Sequence, residues 1–239
     1  MLSRKNNILL CLLICVMMLY ASSAQEAVQK QSISEYISRV YESKKYVGRE
    51  TNCVPTRETY VSCVITMIEE ENENILDDRA RVMELLTARA EDKYVTDYDR
   101  AWFEGKMLEY SAKDVQDLLV KMDVIPVKMA LAQSILESGW GTSYAATVGK
   151  GLFGQIQAAG QHDIEVPWKS GPDKPQPFKT HRASVHAYFM NLNTHFAYVD
   201  FRKARVECKD PVLLMNHMKK YSIRGQDYIR QIQGIIKSI

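Results

Sequence analysis

Four of the chain's seven prolines fall in one short stretch, at Pro167, Pro172, Pro175 and Pro177, together with Gly160 and Gly171. Proline has no backbone donor and glycine no side chain to pack, so no regular helix runs through this stretch. On either side of it, apolar residues return every three or four positions, the spacing of one helix face. This arrangement predicts a mainly α (α+β) fold with one small insertion that is not helical. Inside the insertion Ile164, Val166 and Trp168 alternate with other residues, as in a half-buried strand, so a small hairpin or an irregular lobe is expected there.

The flanking helices are legible one by one. From Cys63 to about Glu91, Ile65, Ile68, Ile75, Val82 and Leu86 mark an amphipathic helix. Asp97 to Met122 reads as one or two more, with Leu108, Val115, Leu118 and Leu119 as core candidates. Pro126 suits the first turn of a helix, where a missing N–H costs nothing. Val127, Ala130, Leu131, Ser134 and Ile135 continue it at helical spacing, and Gly139 suits a left-handed cap. Helix returns near Ser184, with Val185, Tyr188, Phe189 and Leu192 on one face. Two more are expected at Pro211–Tyr221 and about Gln226–Ile239, the last with Tyr228, Ile232, Ile235 and Ile239 on one face.

The beginning of the chain reads differently. Arg4 and Lys5 precede an apolar run from Ile8 to Tyr20, and Ala21-Ser22-Ser23-Ala24 supplies small residues for cleavage. This is the pattern of a secretory signal peptide cut after Ala24; an uncleaved N-terminal anchor is the alternative. The surroundings of Cys15 do not fit a lipoprotein anchor. Four stretches follow: 1–24 as signal, 25–58 as a polar extension, 59–123 as the helical first part of the domain, and 124–239 as its core.

Without residues 1–24 the 31 basic residues fall to 29, matching the 29 acidic ones. A chain with zero net charge and no basic stripe is not expected to bind nucleic acid. A hydrophobic content of 46% with 25% charged residues is that of a folded globular protein. Cys53, Cys63 and Cys208 remain after cleavage. In an oxidising compartment Cys53 and Cys63 can close a short loop, although pairing is not readable from spacing. No metal-ligand spacing is present, and the five histidines are scattered.

One carboxyl stands out on chemical grounds. Glu137 lies in the last turn of the apolar helix that begins at Pro126. There the helix dipole opposes ionisation, and Ile135, Leu136 and Trp140 offer apolar surroundings. A general acid in glycoside hydrolysis must hold its proton near neutral pH inside a cleft. An upward pKa shift at Glu137 is therefore expected, although most glutamates in a last helical turn are solvated surface charges. Aromatic side chains stack on sugar faces, and Trp140, Tyr144, Phe153, Trp168 and Tyr188 are near in sequence or pattern. Phe153, Tyr188 and Phe189 read better as core. Trp140 and Trp168 flank irregular segments and suit either role.

These residues carry a resemblance. Ala130-Leu131-Ala132-Gln133-Ser134-Ile135-Leu136-Glu137-Ser138-Gly139-Trp140-Gly141-Thr142-Ser143, followed by Gly151-Leu152-Phe153-Gly154-Gln155, resembles the glucosaminidase family (glycoside hydrolase family 73). Val124-Ile125-Pro126, Asn191-Leu192-Asn193-Thr194-His195 with Ala197-Tyr198, and Tyr221-Ser222-x-Arg224-Gly225-x-x-Tyr228 are similar to its bacterial Bax-type members. The resemblance spans roughly residues 60 to 239 and is strongest from 124 to 230.

The resemblance implies a lysozyme-like fold, with an α-lobe, a small β-hairpin lobe and a cleft between them. It implies an endo-β-N-acetylglucosaminidase that cuts the β-1,4 bond after N-acetylglucosamine in peptidoglycan, with Glu137 as general acid. It further implies a tyrosine that orients the substrate's acetamido group; Tyr221 and Tyr228 are the candidates, Tyr221 slightly ahead. A second acid in the β-lobe falls on Glu165 or Asp163; failing both, the acetamido group itself can act as nucleophile. Gln133, Ser138, Trp140, Phe153 and Trp168 are expected to line the substrate. No metal or organic cofactor is needed. The expected protein is a monomer, exported to the periplasm or cell envelope or secreted, acting on peptidoglycan glycan strands without stable membrane insertion. A lytic transglycosylase, a catalytically silent wall-binding protein and an enzyme of glycoprotein glycans are the rival readings.

Overall fold

The longest element is helix α1, Arg57–Ala90, which starts six residues before the apolar period becomes evident. Its inward face carries Tyr60, Val64, Met67, Ile68, Ile75 and Val82, all buried. This computed structural model describes residues 57–157, 164–168 and 173–239, all within one unit, Gly48–Ile239. The expected signal segment, the extension up to residue 56, Cys53 and Asp163 lie outside the described residues. Cys63 is disulfide-bonded, and Cys208 is a free thiol.

Helix α2 (Asp97–Glu109) is capped by Thr96, whose side chain accepts the N–H of Asp99, and α3 (Val115–Lys121) by Asp114, which accepts that of Asp117. Leu118 is fully buried, but Leu108 is 80% exposed and leaves the expected core. Trp102, Phe103 and Met107 pack against the core instead. One residue beyond Met107, a helix has turned by about 100°, which directs Leu108 to solvent.

Helix α4 (Val127–Ser138) is enclosed: Met129 through Ile135 are all buried, as is Ser138. A helix apolar on every side must have neighbours around it, and α4 packs against α1 and the C-terminal helix. The short α5 (Tyr144–Thr147) is capped by Ser143. Helix α6 (His181–Thr194) buries Val185, Tyr188, Phe189 and Leu192, the expected face. A 3-10 turn, Phe196–Tyr198, leads into α7 (Val199–Glu207), which the sequence reading does not anticipate. Its residues are mostly charged, and the helix is recognisable only through buried Phe201, Arg202 and Arg205. Helix α8 is Pro211–Leu214, continued by a 3-10 turn, Met215–His217, so the helix expected as far as Tyr221 stops short. Helix α9 (Gln226–Ser238) buries Tyr228, Ile229, Ile232 and Ile236; Ile235 and Ile239 pack at its flank.

The hairpin expected in the insertion is not formed among the described residues. What pairs is one isolated antiparallel bridge, Ile156 with Pro175, framed by Gln157 N–H to Lys174 O at 2.9 Å and Gln176 N–H to Gln155 O at 2.8 Å. Pro175 and Pro177 alternate with these inward-facing donors, so what they lack is an N–H for a strand on their other edge. Ile164, Val166 and Trp168 are part-buried in irregular backbone. Among the described residues no helix is long and apolar enough to cross a membrane, and no cluster of metal-ligating side chains occurs.

Candidate active site

Helix α4 ends directly after Glu137. Gly139 takes the left-handed conformation at φ 58° and closes on Ile135 O; Trp140 N–H reaches the same carbonyl at 3.1 Å. Trp140 (φ 60°) and Gly141 (φ 74°) are also left-handed, so three successive residues turn the chain sharply away from the carboxyl. Ser138 is the hub of this turn. Its Oγ donates to Ser134 O at 2.6 Å and accepts from Gly141 N–H at 2.8 Å. It also lies 2.8 Å from the Tyr60 hydroxyl. Ser138 has a single proton, already given to Ser134, so Tyr60 is the donor.

The Gly-Leu-Phe-Gly motif lies against the carboxyl from another side. Leu152 N–H donates to Ser184 Oγ on α6 at 3.0 Å. The Phe153 ring stacks on Tyr188, centroids 4.0 Å apart at 13°, and its carbonyl accepts from Tyr221 at 2.8 Å. Held at these points, the backbone passes over the carboxyl at Gly154, whose φ is 63°. A Cβ there would fall onto Glu137 Oε2 and 3.0 Å from its carboxyl carbon. Both the sterics and the dihedral require glycine.

A buried relay reaches Glu137 from below. Tyr188 donates to Gln133 Oε1 at 2.7 Å, and Gln133 Nε2 donates to the Tyr228 hydroxyl at 3.0 Å. Because Tyr228 accepts from Gln133, its own proton is directed to the Glu137 carboxyl, to which it hydrogen-bonds. Tyr221 stacks against Tyr228 at 5.5 Å and 15°. Burial raises the Glu137 pKa above the ordinary carboxylate value; the Tyr228 hydrogen bond and the positive charge of Arg224 oppose the rise without cancelling it. The arrangement suits a group that gives up a proton and is stabilised afterwards as an anion.

The expected site residues thus fall into two sets. Glu137, Gln133, Tyr228, Tyr221, Phe153 and Ser138 are brought together. Gln133, Ser138 and Phe153 are fully enclosed, so their recorded contacts are with protein rather than with an open groove. Trp140 is half-buried and packs against the core. Trp168 stands apart, its Nε1 donating to Pro175 O at 3.1 Å and its ring 5.6 Å from that of Tyr144. Glu165 is exposed; the groups that act on Glu137 are Tyr228 and Arg224. Sequence reasoning singles out neither Tyr60 nor Arg224 as a site residue. The signal for Tyr60 is its place with Val64 and Met67 on one helix face; that for Arg224 is its place between Tyr221 and Tyr228.

The glucosaminidase family model, described as mannosyl-glycoprotein endo-beta-N-acetylglucosaminidase, matches residues 112–239, more than half of the chain. Protein bax of Escherichia coli (strain K12) is 34% identical over 120 residues, which cover 46% of this chain and 42% of that protein. The matched part therefore spans less than half the length of this curated relative. No solved structure matches.

Proposed function

This chain belongs to the glucosaminidase family, and from that premise we propose that it is a glycoside hydrolase of peptidoglycan. It cleaves the β-1,4 bond after N-acetylglucosamine, with Glu137 protonating the leaving oxygen. The observation that carries the reading is the state of this carboxyl: half-buried at a helix end, covered on one side by Gly154, and raised in pKa by burial. A carboxyl of this kind still holds protons at a pH where surface acids have lost theirs.

Tyr228 stabilises the carboxylate left after proton transfer. The exposure of Glu165 favours the substrate's acetamido group over that residue as the assisting group at the anomeric carbon. Trp140 and Trp168 are assigned to the walls of the sugar groove. The reading assigns a lysozyme-like division, with the described parts of the insertion, 155–157, 164–168 and 173–178, on the β-lobe side of a groove beside Glu137. Export by residues 1–24 and work in the cell envelope as a monomer go with this substrate.

The test is digestion of isolated sacculi by the purified protein, with the new chain ends identified by mass spectrometry. Reducing N-acetylglucosamine ends are expected. Anhydro-muramic ends would make the protein a lytic transglycosylase instead, and binding without sugar release would make it a silent wall-binding protein. Glu137→Gln should lower release by about 10³-fold; wild-type turnover in that variant removes Glu137 from its role.

A further inference from the structure

Tyr60 lies on α1, more than fifty residues before the part of the chain that the family match covers. It is nonetheless 2% exposed and in direct contact with the turn behind Glu137. Its hydroxyl donates to Ser138 Oγ, the atom that holds Gly141 N–H and Ser134 O. Its ring occupies the space beside Gly141: a Cβ on that residue would lie 2.5 Å from the ring's Cδ2 and 2.6 Å from Cε2. The turn it supports contains Trp140, a non-glycine residue at φ 60°. Such a conformation is costly and persists where surrounding contacts enforce it.

We infer that Tyr60 is a positioning residue of the active site, and that α1 is part of the catalytic unit rather than a separate extension. This inference rests on the hydrolase reading above. Tyr60 acts through Ser138 and Gly141. By completing the bonds of Ser138 and filling the side of Gly141, it fixes the point where α4 stops, and hence where the Glu137 carboxyl stands under Gly154. Small displacements of an acid relative to the bond it protonates cost much rate and little binding.

The full exported chain is compared with Tyr60→Phe, Tyr60→Leu and Ile68→Ala, the last a core truncation further along the same face of α1. Sugar release gives kcat and KM. The titration of Glu137 is followed by carbon NMR of labelled glutamate, its signal identified by its absence in Glu137→Gln. Tyr60→Leu should lower kcat by about 100-fold with KM within about twofold, and should move the Glu137 midpoint down toward an ordinary carboxylate as water enters. Tyr60→Phe keeps the ring and should recover most of the loss. Ile68→Ala should lower the melting temperature at least as much and change neither readout. If Tyr60→Leu tracks Ile68→Ala in all measurements, Tyr60 only packs and the inference is overturned. If the wild type releases no sugar, the hydrolase reading fails; the Glu137 midpoint still decides, because an unchanged midpoint in Tyr60→Leu refutes the positioning.

Discussion

Glu137 is partly and Arg205 fully withdrawn from water, and the protein treats these two ionisable side chains in opposite ways. Arg205 is fully enclosed, and its guanidinium is met by carbonyls of Val120, Lys121 and Val124 and by Asn193 Oδ1 at 2.7 Å. Asp123 adds its charge 3.5 Å from Nε, and the group lies over the Phe201 ring. Burial pulls its pKa down to about 10, which leaves it charged at neutral pH. It joins α3, the turn before α4, α6 and α7. Glu137 has one hydroxyl, one distant cation and a glycine backbone for company. A buried charge surrounded by acceptors or donors becomes a structural joint. A half-buried carboxyl left short of them keeps its proton more readily than a surface acid.

The contrast can be broken first at the joint. Arg205→Met leaves several buried carbonyls without their partner and Asp123 with Lys209 as its remaining cation, and should cost about 3–5 kcal/mol of stability. Denaturant unfolding measures this; sugar release per folded molecule should stay near wild type. A loss below about 1 kcal/mol would mean that α7 is held by its apolar contacts instead.

Gly154→Ala sharpens the other side. The added methyl meets the carboxyl and the residue is held at positive φ, so about 1–2 kcal/mol of stability should be lost. Sugar release should fall further, by about 100-fold, since the acid itself is displaced. Equal effects on both would place Gly154 in the fold alone.

The smallest effect is in pH dependence. Burial raises the Glu137 pKa in the folded chain, so protonation favours folding. That contribution is present below the ordinary carboxylate pKa and is lost as pH rises through the raised value. Glu137→Gln does not ionise. Relative to the wild type it should therefore gain stability as pH rises from the ordinary carboxylate value through the raised one. Parallel curves for the two proteins would show that the folded carboxyl titrates normally. At Arg205 no such dependence is expected across this range.

How much of this was written in the chain differs from element to element. The α4 helix was legible because all its signals are local: Pro126 at the start, Gly139 at the stop, apolar residues at helical spacing between. Glu137 followed, since its place in the last turn depends on nothing further away. Of the two readings of the insertion, a small hairpin or an irregular lobe, the described residues show irregular backbone with one bridge, because alternation at Ile164, Val166 and Trp168 says nothing about whether a partner strand stands beside them. Helix α7 was missed because its charged composition hides a face that only burial explains: Arg205 looks like any surface arginine until three carbonyls surround it.

Local periodicity and turn chemistry decided which segments are helical and where Glu137 stands, because both act over a few consecutive residues. Contacts across long separations decided the rest. Tyr60 meets Ser138 across 78 positions, and Tyr228 meets Gln133 across 95. No spacing rule reaches so far along a chain, since which groups share a buried space is settled only when the helices close around it.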